Sequence, residues 1–167
     1  MNISMRPAQP GEASLAAAFI DDARQHQREQ GFVQWTDTSP NVEDVRGDIA
    51  LGRGYFLTDD GEPFGYCMVD FGGEPCYTAI DGAWQTDRPY AVVHRVAFGK
   101  AGRGKGATAA MFRLIRELCA AHGVTAMRID TGFENEKMHH ILAREGFIRC
   151  GVVQLPNGPR YAYELDW

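Results

Sequence analysis

The apolar positions of this chain switch repeatedly between a period near two and a period near 3.6. Residues 3–6 read as a short strand that Pro7 ends. From Glu12 to about Arg28, Leu15, Ala18, Phe19 and Asp22 or Ala23 recur at helical spacing, and Gly31 stops the run. Asn41 is a cap for a second helix over residues 42–51, with Gly52 as its end. Residues 54–58 and 63–70 pair as a hairpin around Asp59-Asp60-Gly61-Glu62. Residues 71–89 form a long excursion punctuated by glycine and proline, and loops of that length are usually functional or mobile. Residues 90–98 are a strongly apolar strand. Ala107, Ala110, Met111, Leu114, Ile115, Leu118 and Cys119 then mark the wide stripe of a helix that Gly123 ends. Residues 125–130 predict a buried strand. Residues 135–144 predict a helix, with Met138, Ile141 and Leu142 at i, i+3 and i+4 and Gly146 after it. A strand over 147–155, a turn at 156–159 and an alternating run of Tyr161, Tyr163, Leu165 and Trp167 close the chain. The order β-α-α-β-β-β-α-β-α-β-β predicts a mixed α/β (α+β) fold. Its sheet is mostly antiparallel, with one parallel crossover around the helix after Thr108.

Composition narrows the class. A chain of 167 residues with 44% apolar and 23% charged positions reads as one soluble domain, 1–167, able to bury its own core. No apolar run approaches the ~18 residues of a membrane span, and the stretch from Met1 to Pro7 lacks the apolar centre of a secretory signal, so the expected location is cytoplasmic. Cys67, Cys76, Cys119 and Cys150 are scattered, which predicts reduced thiols and no metal site. A net charge of -5 argues against nucleic acid as a partner and suits a cationic or amine substrate. The alternating aromatic last strand would either pair across a homodimer or complete the sheet.

The densest chemical signal lies between Val92 and Met111, where an apolar strand passes through Gly99, Gly102, Gly104 and Gly106 into a helix. Glycines let a ligand approach the backbone, and the first helical turn directs free N–H groups and the positive dipole end outward. Arg103 and Lys105 add cations that pair with phosphate. A phosphate-bearing cofactor is therefore expected at residues 103–108. Gly99, Gly104 and Lys105 meet most of a P-loop pattern, but Gly106 stands where a hydroxyl must reach Mg²⁺. The spacing of Gly102, Gly104 and Gly106 is also wrong for a dinucleotide turn.

Arg103-x-x-Gly106 before a small residue, between strand and helix, resembles the acetyl-CoA pyrophosphate loop of the GNAT N-acetyltransferases. Thr108 departs from that family's final glycine or alanine. Asn135-x-x-Met138, then Leu142, then Gly146-Phe147, resembles a second segment of the same family at the right separation. Together with Arg128-Ile-Asp-Thr and Cys150-Gly151, these residues resemble a bacterial branch of that superfamily. The resemblance implies a GNAT-like sheet with a splayed strand pair and flanking helices. It implies acetyl-CoA as cofactor and CoA as product, with the acetyl group passing to an amine of a small molecule or protein by direct attack. It further implies that the main chain of Val96 and Phe98 holds the pantetheine arm. The amides of Arg103, Gly104, Lys105, Gly106, Ala107 and Thr108 would take the pyrophosphate, and Asn135 would hydrogen-bond the cofactor. The bare alternative for Val96 and Phe98 is strand core.

The reaction needs a base for the ammonium and benefits from an acid for the thiolate. His94 is the first candidate base, because imidazole ordinarily titrates near neutrality, and a hydrogen-bonded sheet histidine is the alternative. Asp130 is the second, or else a turn carboxylate. Arg95 alternates with His94 and would bind a substrate carboxylate or pair with an acid. Leu142 stands where many family members place a tyrosine acid and donates nothing; Tyr161, Tyr163 or Cys150 could replace it. Without the acid, a non-catalytic acyl-CoA-binding module is the competing reading. Trp35, Tyr77 and Trp84 are expected either to line a substrate pocket or to pack the core.

Overall fold

The computed structural model describes residues 2–104 and 106–167. The chain packs as two compact units, one formed by residues up to Val69 with His94–Ile115, the other by Asp70–Val93 with Arg116–Trp167.

The first unit holds β1 (Ile3–Pro7), α1 (Ala13–Glu29), α2 (Val42–Ala50), β2 (Gly54–Asp59), β3 (Glu62–Asp70) and residues 94–98 of the strand Ala91–Phe98. Strands β1 and β2 run antiparallel from Ile3↔Asp59 to Pro7↔Tyr55. Strands β2 and β3 form the expected hairpin, with a register shift between Leu57 and Thr58. Asp60 and Gly61 both have positive φ, as a tight hairpin turn demands. Asn41 caps α2 as its sequence suggests: Oδ1 accepts from the N–H groups of Glu43 and Asp44 at 3.0 and 3.1 Å.

The buried face of α1 differs from the expected stripe. Ala13, Ala16, Ile20 and Arg24 are buried, whereas Leu15 is 40% exposed. Small alanines admit close packing against Val45, Phe56, Tyr66 and Ala97 of the same core. Arg24 tolerates burial because its guanidinium donates to the carbonyls of Thr36 (2.6 Å) and Pro40 (2.5 Å).

The second unit contains a two-residue strand, Asp81–Gly82, inside the long excursion, preceded by a 3₁₀ turn at Pro75–Ala79. The longer strands that follow are β4 (Ala91–Phe98), β5 (Ala126–Thr131), β6 (Ile148–Leu155) and β7 (Gly158–Asp166). Helix α3 (Ala107–Ala121) links β4 to β5, and α4 (Glu136–Arg144) follows β5. The pairing order is β1-β2-β3-β4 in the first unit. In the second it is β4-β5-β7-β6, then Asp81–Gly82. Only β4 and β5 pair in parallel among the described registers, as the crossover through α3 predicts, so this is a mixed α/β, mostly antiparallel fold. The parallel register runs from Ala91↔Met127 to Val93↔Ile129, while β4 itself continues to Phe98.

β7 lies between β5 and β6 with both edges hydrogen-bonded. It therefore completes the sheet, the second of the two roles open to it. Among the described residues, no helix is long and apolar enough to cross a membrane.

Candidate functional site

Strand β4 leads through Gly99 and a 3₁₀ turn at Lys100–Gly102 to Arg103, Gly104 and Gly106, and α3 begins at Ala107. The glycines divide into two kinds. A Cβ on Gly102 would lie 2.4 Å from the Phe64 ring, and one on Gly99 would lie 3.0 Å from Phe19, so both are glycine for packing. Gly104 and Gly106 have φ of +73° and +68°, and apart from their chain neighbours no described residue comes within 4 Å of a Cβ built on either. They are glycine for conformation, and open space faces them. The N–H of Ala110 donates to the Gly106 carbonyl at 3.2 Å, which starts the helical ladder. The amides of Ala107, Thr108 and Ala109 thus belong to the first turn, where a helix has no internal acceptors for them. Such a turn suits a diphosphate; the residues present fit the group.

The remaining cofactor candidates are placed as follows. Val96 and Phe98 are half-buried in β4, and the Phe98 ring stacks on Phe64 at 6.1 Å. Arg103 donates to the Asp22 carbonyl at 2.6 Å, so one arm of its guanidinium braces the loop against α1. Lys105 lies outside the described residues. Asn135 is the N-cap of α4, its Oδ1 accepting from the Met138 N–H at 3.3 Å.

The candidate bases fall in different units. His94 is half-buried in β4. Asp130 is half-buried in β5, where its Oδ2 accepts from the Tyr77 hydroxyl at 2.7 Å. Burial first, and then the Asp130 charge, push the Tyr77 hydroxyl well above its ordinary value, so it keeps its proton and remains the donor.

Tyr77 is itself a correction to the pocket expectation. It is 1% exposed and packs with Val92, Val153 and Ala162 as core. Trp84 packs against that core, donating its indole N–H to the Tyr77 carbonyl at 2.9 Å. Trp35 packs against the core of the first unit. Leu142 is fully buried. Of the substitute acids, Tyr163 is committed: its hydroxyl meets His139 Nδ1 at 2.7 Å and accepts from Arg149 at 2.9 and 3.1 Å. Tyr161 lies against the Arg149 guanidinium, 3.9 Å from ring centroid to Cζ. Burial raises the half-buried Cys150 thiol, with Glu164 adding to the effect, so it stays protonated near neutral pH.

Sequence reasoning missed Asp48. This carboxylate is 1% exposed on α2, accepts from Arg95 Nε at 2.7 Å and from the Tyr66 hydroxyl at 2.8 Å, and also pairs with Arg95 Nη2. Burial lowers the Arg95 guanidinium, but the hydrogen bonds and charge of Asp48 outweigh it and hold it above its ordinary value. The legible signal was a carboxylate three residues after Val45 and beside Ile49, on an otherwise apolar helix face.

A family model for the acetyltransferase (GNAT) family matches residues 19–147. Among solved structures, a GNAT-family acetyltransferase from Streptococcus agalactiae is 32% identical, with a TM-score of 0.86 over 99% of this chain and 95% of that one. One from Listeria monocytogenes is 22% identical with a TM-score of 0.77, covering 99% and 95%. The aminoglycoside acetyltransferase AAC(6')-Ib, solved with coenzyme A and kanamycin, is 21% identical with a TM-score of 0.71, covering 99% and 95%. No curated protein matches the sequence.

Proposed function

The chain belongs to the GNAT acetyltransferase family, and from that premise we propose that it transfers an acetyl group from acetyl-CoA to an amine of a small molecule or protein. The observation that carries the reading is the pair of left-handed glycines, Gly104 and Gly106, with open space before the first turn of α3. Acetyl-CoA supplies the acyl group as a thioester open to direct attack by an amine. The main chain at Val96 and Phe98 holds the pantetheine arm. The amides from Arg103 to Thr108, with the Lys105 cation, hold the pyrophosphate, and Asn135 adds a hydrogen bond. His94 or Asp130 takes the proton from the incoming ammonium. Leu142 gives no acid, so the departing sulfur takes its proton from water. The net charge of -5 favours a cationic acceptor.

Thermal unfolding with acetyl-CoA, CoA, Mg-ATP or no addition tests the cofactor. A ligand at a hundred times its Kd adds about 2.7 kcal/mol to the folded state. A raised midpoint with acetyl-CoA and CoA, but not with Mg-ATP, is expected; a rise with Mg-ATP alone overturns the reading.

The buried Leu142 also favours a second reading, a non-catalytic acyl-CoA-binding module. Thiol release from acetyl-CoA with an amine panel separates the two. We expect turnover, and we expect His94→Ala or Asp130→Ala to lower it at least tenfold, as loss of a general base does, while CoA affinity is kept. Binding without turnover on any amine leaves the module.

A further inference from the structure

Resting on the acetyl-CoA reading, we propose that Asp48 is a positioning residue for the cofactor strand. Its buried carboxylate holds Arg95 in a left-handed conformation that turns β4 out of its parallel ladder with β5 just before Val96 and Phe98.

Arg95 has a φ of +52° in the middle of a strand. Among the described residues Asp60 is the other non-glycine residue with positive φ, and it sits in a hairpin turn where that conformation is ordinary. A long, non-glycine side chain in a strand is disfavoured there and persists only when its surroundings over-determine it. Here they do. Asp48 takes two nitrogens of the guanidinium, and the Tyr66 hydroxyl fixes one oxygen of the carboxylate. Tyr66 is fully buried in β3, edge-on to Phe56 at 6.0 Å. Val45 and Ile49, flanking Asp48 on α2, pack in the same core as Ala97, two residues beyond Arg95. The carboxylate is thus fixed from α2 and from β3, and the arginine backbone follows it.

Stability alone is a weak reason for this arrangement, since apolar residues of the same shape commonly replace a buried ion pair without loss. Its location supplies the better one. The parallel register of β4 runs to Val93, Arg95 follows two residues later, and the proposed pantetheine contacts begin at Val96. A left-handed residue within a strand breaks pairing and rotates the neighbouring peptides, as a bulge does, and it re-aims adjacent side chains. Those rotated N–H and C=O groups are what an amide-rich arm needs. His94, the adjoining residue, takes its direction from the same kink.

Two double variants that differ by one methyl group test this: Asp48→Leu with Arg95→Ala, and Asp48→Leu with Arg95→Gly. Both remove the Asp48–Arg95 pair and take Asp48 equally from Arg53, whose Nε lies 3.5 Å from Oδ1, so they differ only at position 95, where only glycine adopts positive φ freely. CoA titration calorimetry should find the glycine double within about threefold of the wild-type Kd and the alanine double at least tenfold weaker. A purely structural role predicts a less stable alanine double but equal CoA affinity in the two, since strain at positive φ is present with or without ligand. Should the doubles fail to fold, Asp48→Asn alone should raise KM for acetyl-CoA at least fivefold. Equal CoA affinity of the two doubles, or an unchanged KM in Asp48→Asn, overturns the positioning role. Failure of the wild-type protein to bind CoA at all instead overturns the cofactor reading, and this proposal with it.

Discussion

Replacing Arg128 with Met should destabilise the protein by about 3–5 kcal/mol, as loss of one partner of a buried ion pair does. Glu164 is 1% exposed and accepts from Arg128 Nε at 2.7 Å and from the N–H groups of Gln85 and Thr86 at 2.6 and 3.0 Å. The guanidinium also donates to the Thr86 carbonyl and lies over Trp84 and Tyr90, 4.2 and 3.9 Å from their ring centroids. Met fills much of the volume but leaves the carboxylate buried with a charge and no cation. For a chain of this size the loss corresponds to a fall in Tm of roughly 6–20 °C. Pairing it with Glu164→Gln removes the stranded charge while an amide oxygen still accepts from the Gln85 and Thr86 N–H groups, and should recover most of the loss. Chemical denaturation measures both; a loss below about 1 kcal/mol in the single variant would show that the pair is not what orders residues 84–90.

That network explains what was legible in the sequence and what was not. Elements set by local rules were read closely. The Asn41 cap, the Asp60-Gly61 turn and the apolar stripe of α3 each depend on residues within a few positions. The glycine turn was legible for the same reason, since its backbone conformation is carried by Gly104 and Gly106 themselves. Features decided by distant partners were not. The strand at Asp81–Gly82 exists because it pairs with Gly151 and Val152, where a Cβ on either Gly82 or Gly151 would lie about 2 Å from the opposite carbonyl. The buried face of α1 was misjudged because Arg24 looks solvated until the carbonyls of Thr36 and Pro40, 12 and 16 residues away, are in place. Tyr77 reads equally as a pocket wall or as core until Asp130, 53 residues on, takes its hydroxyl. The common sign is a charge on an apolar stripe: Arg24, Asp48, Arg95, Arg128 and Glu164 each have a partner that periodicity alone cannot name.

Gly106→Val should weaken CoA binding at least a hundredfold, equivalent to about 2.7 kcal/mol. The expectation has two parts that one control separates. A β-branched residue at φ +68° is strained whatever surrounds it, by about 1–2 kcal/mol. That strain exists with or without ligand, so by itself it lowers Tm and leaves Kd alone unless the loop relaxes into another conformation. Apart from its chain neighbours, no described residue has an atom within 4 Å of the added Cβ, so any further loss in affinity reports what the ligand needs from that space. Gly123, after α3, has a φ of +66° and equally open surroundings, and no part in the proposed site. Gly123→Val should therefore lower Tm to a similar extent and leave CoA affinity within about twofold of wild type. Parallel calorimetric titrations of the two variants decide the matter. If Gly106→Val binds CoA as tightly as Gly123→Val does, the pyrophosphate does not approach this backbone, and the docking site must be sought away from the first turn of α3.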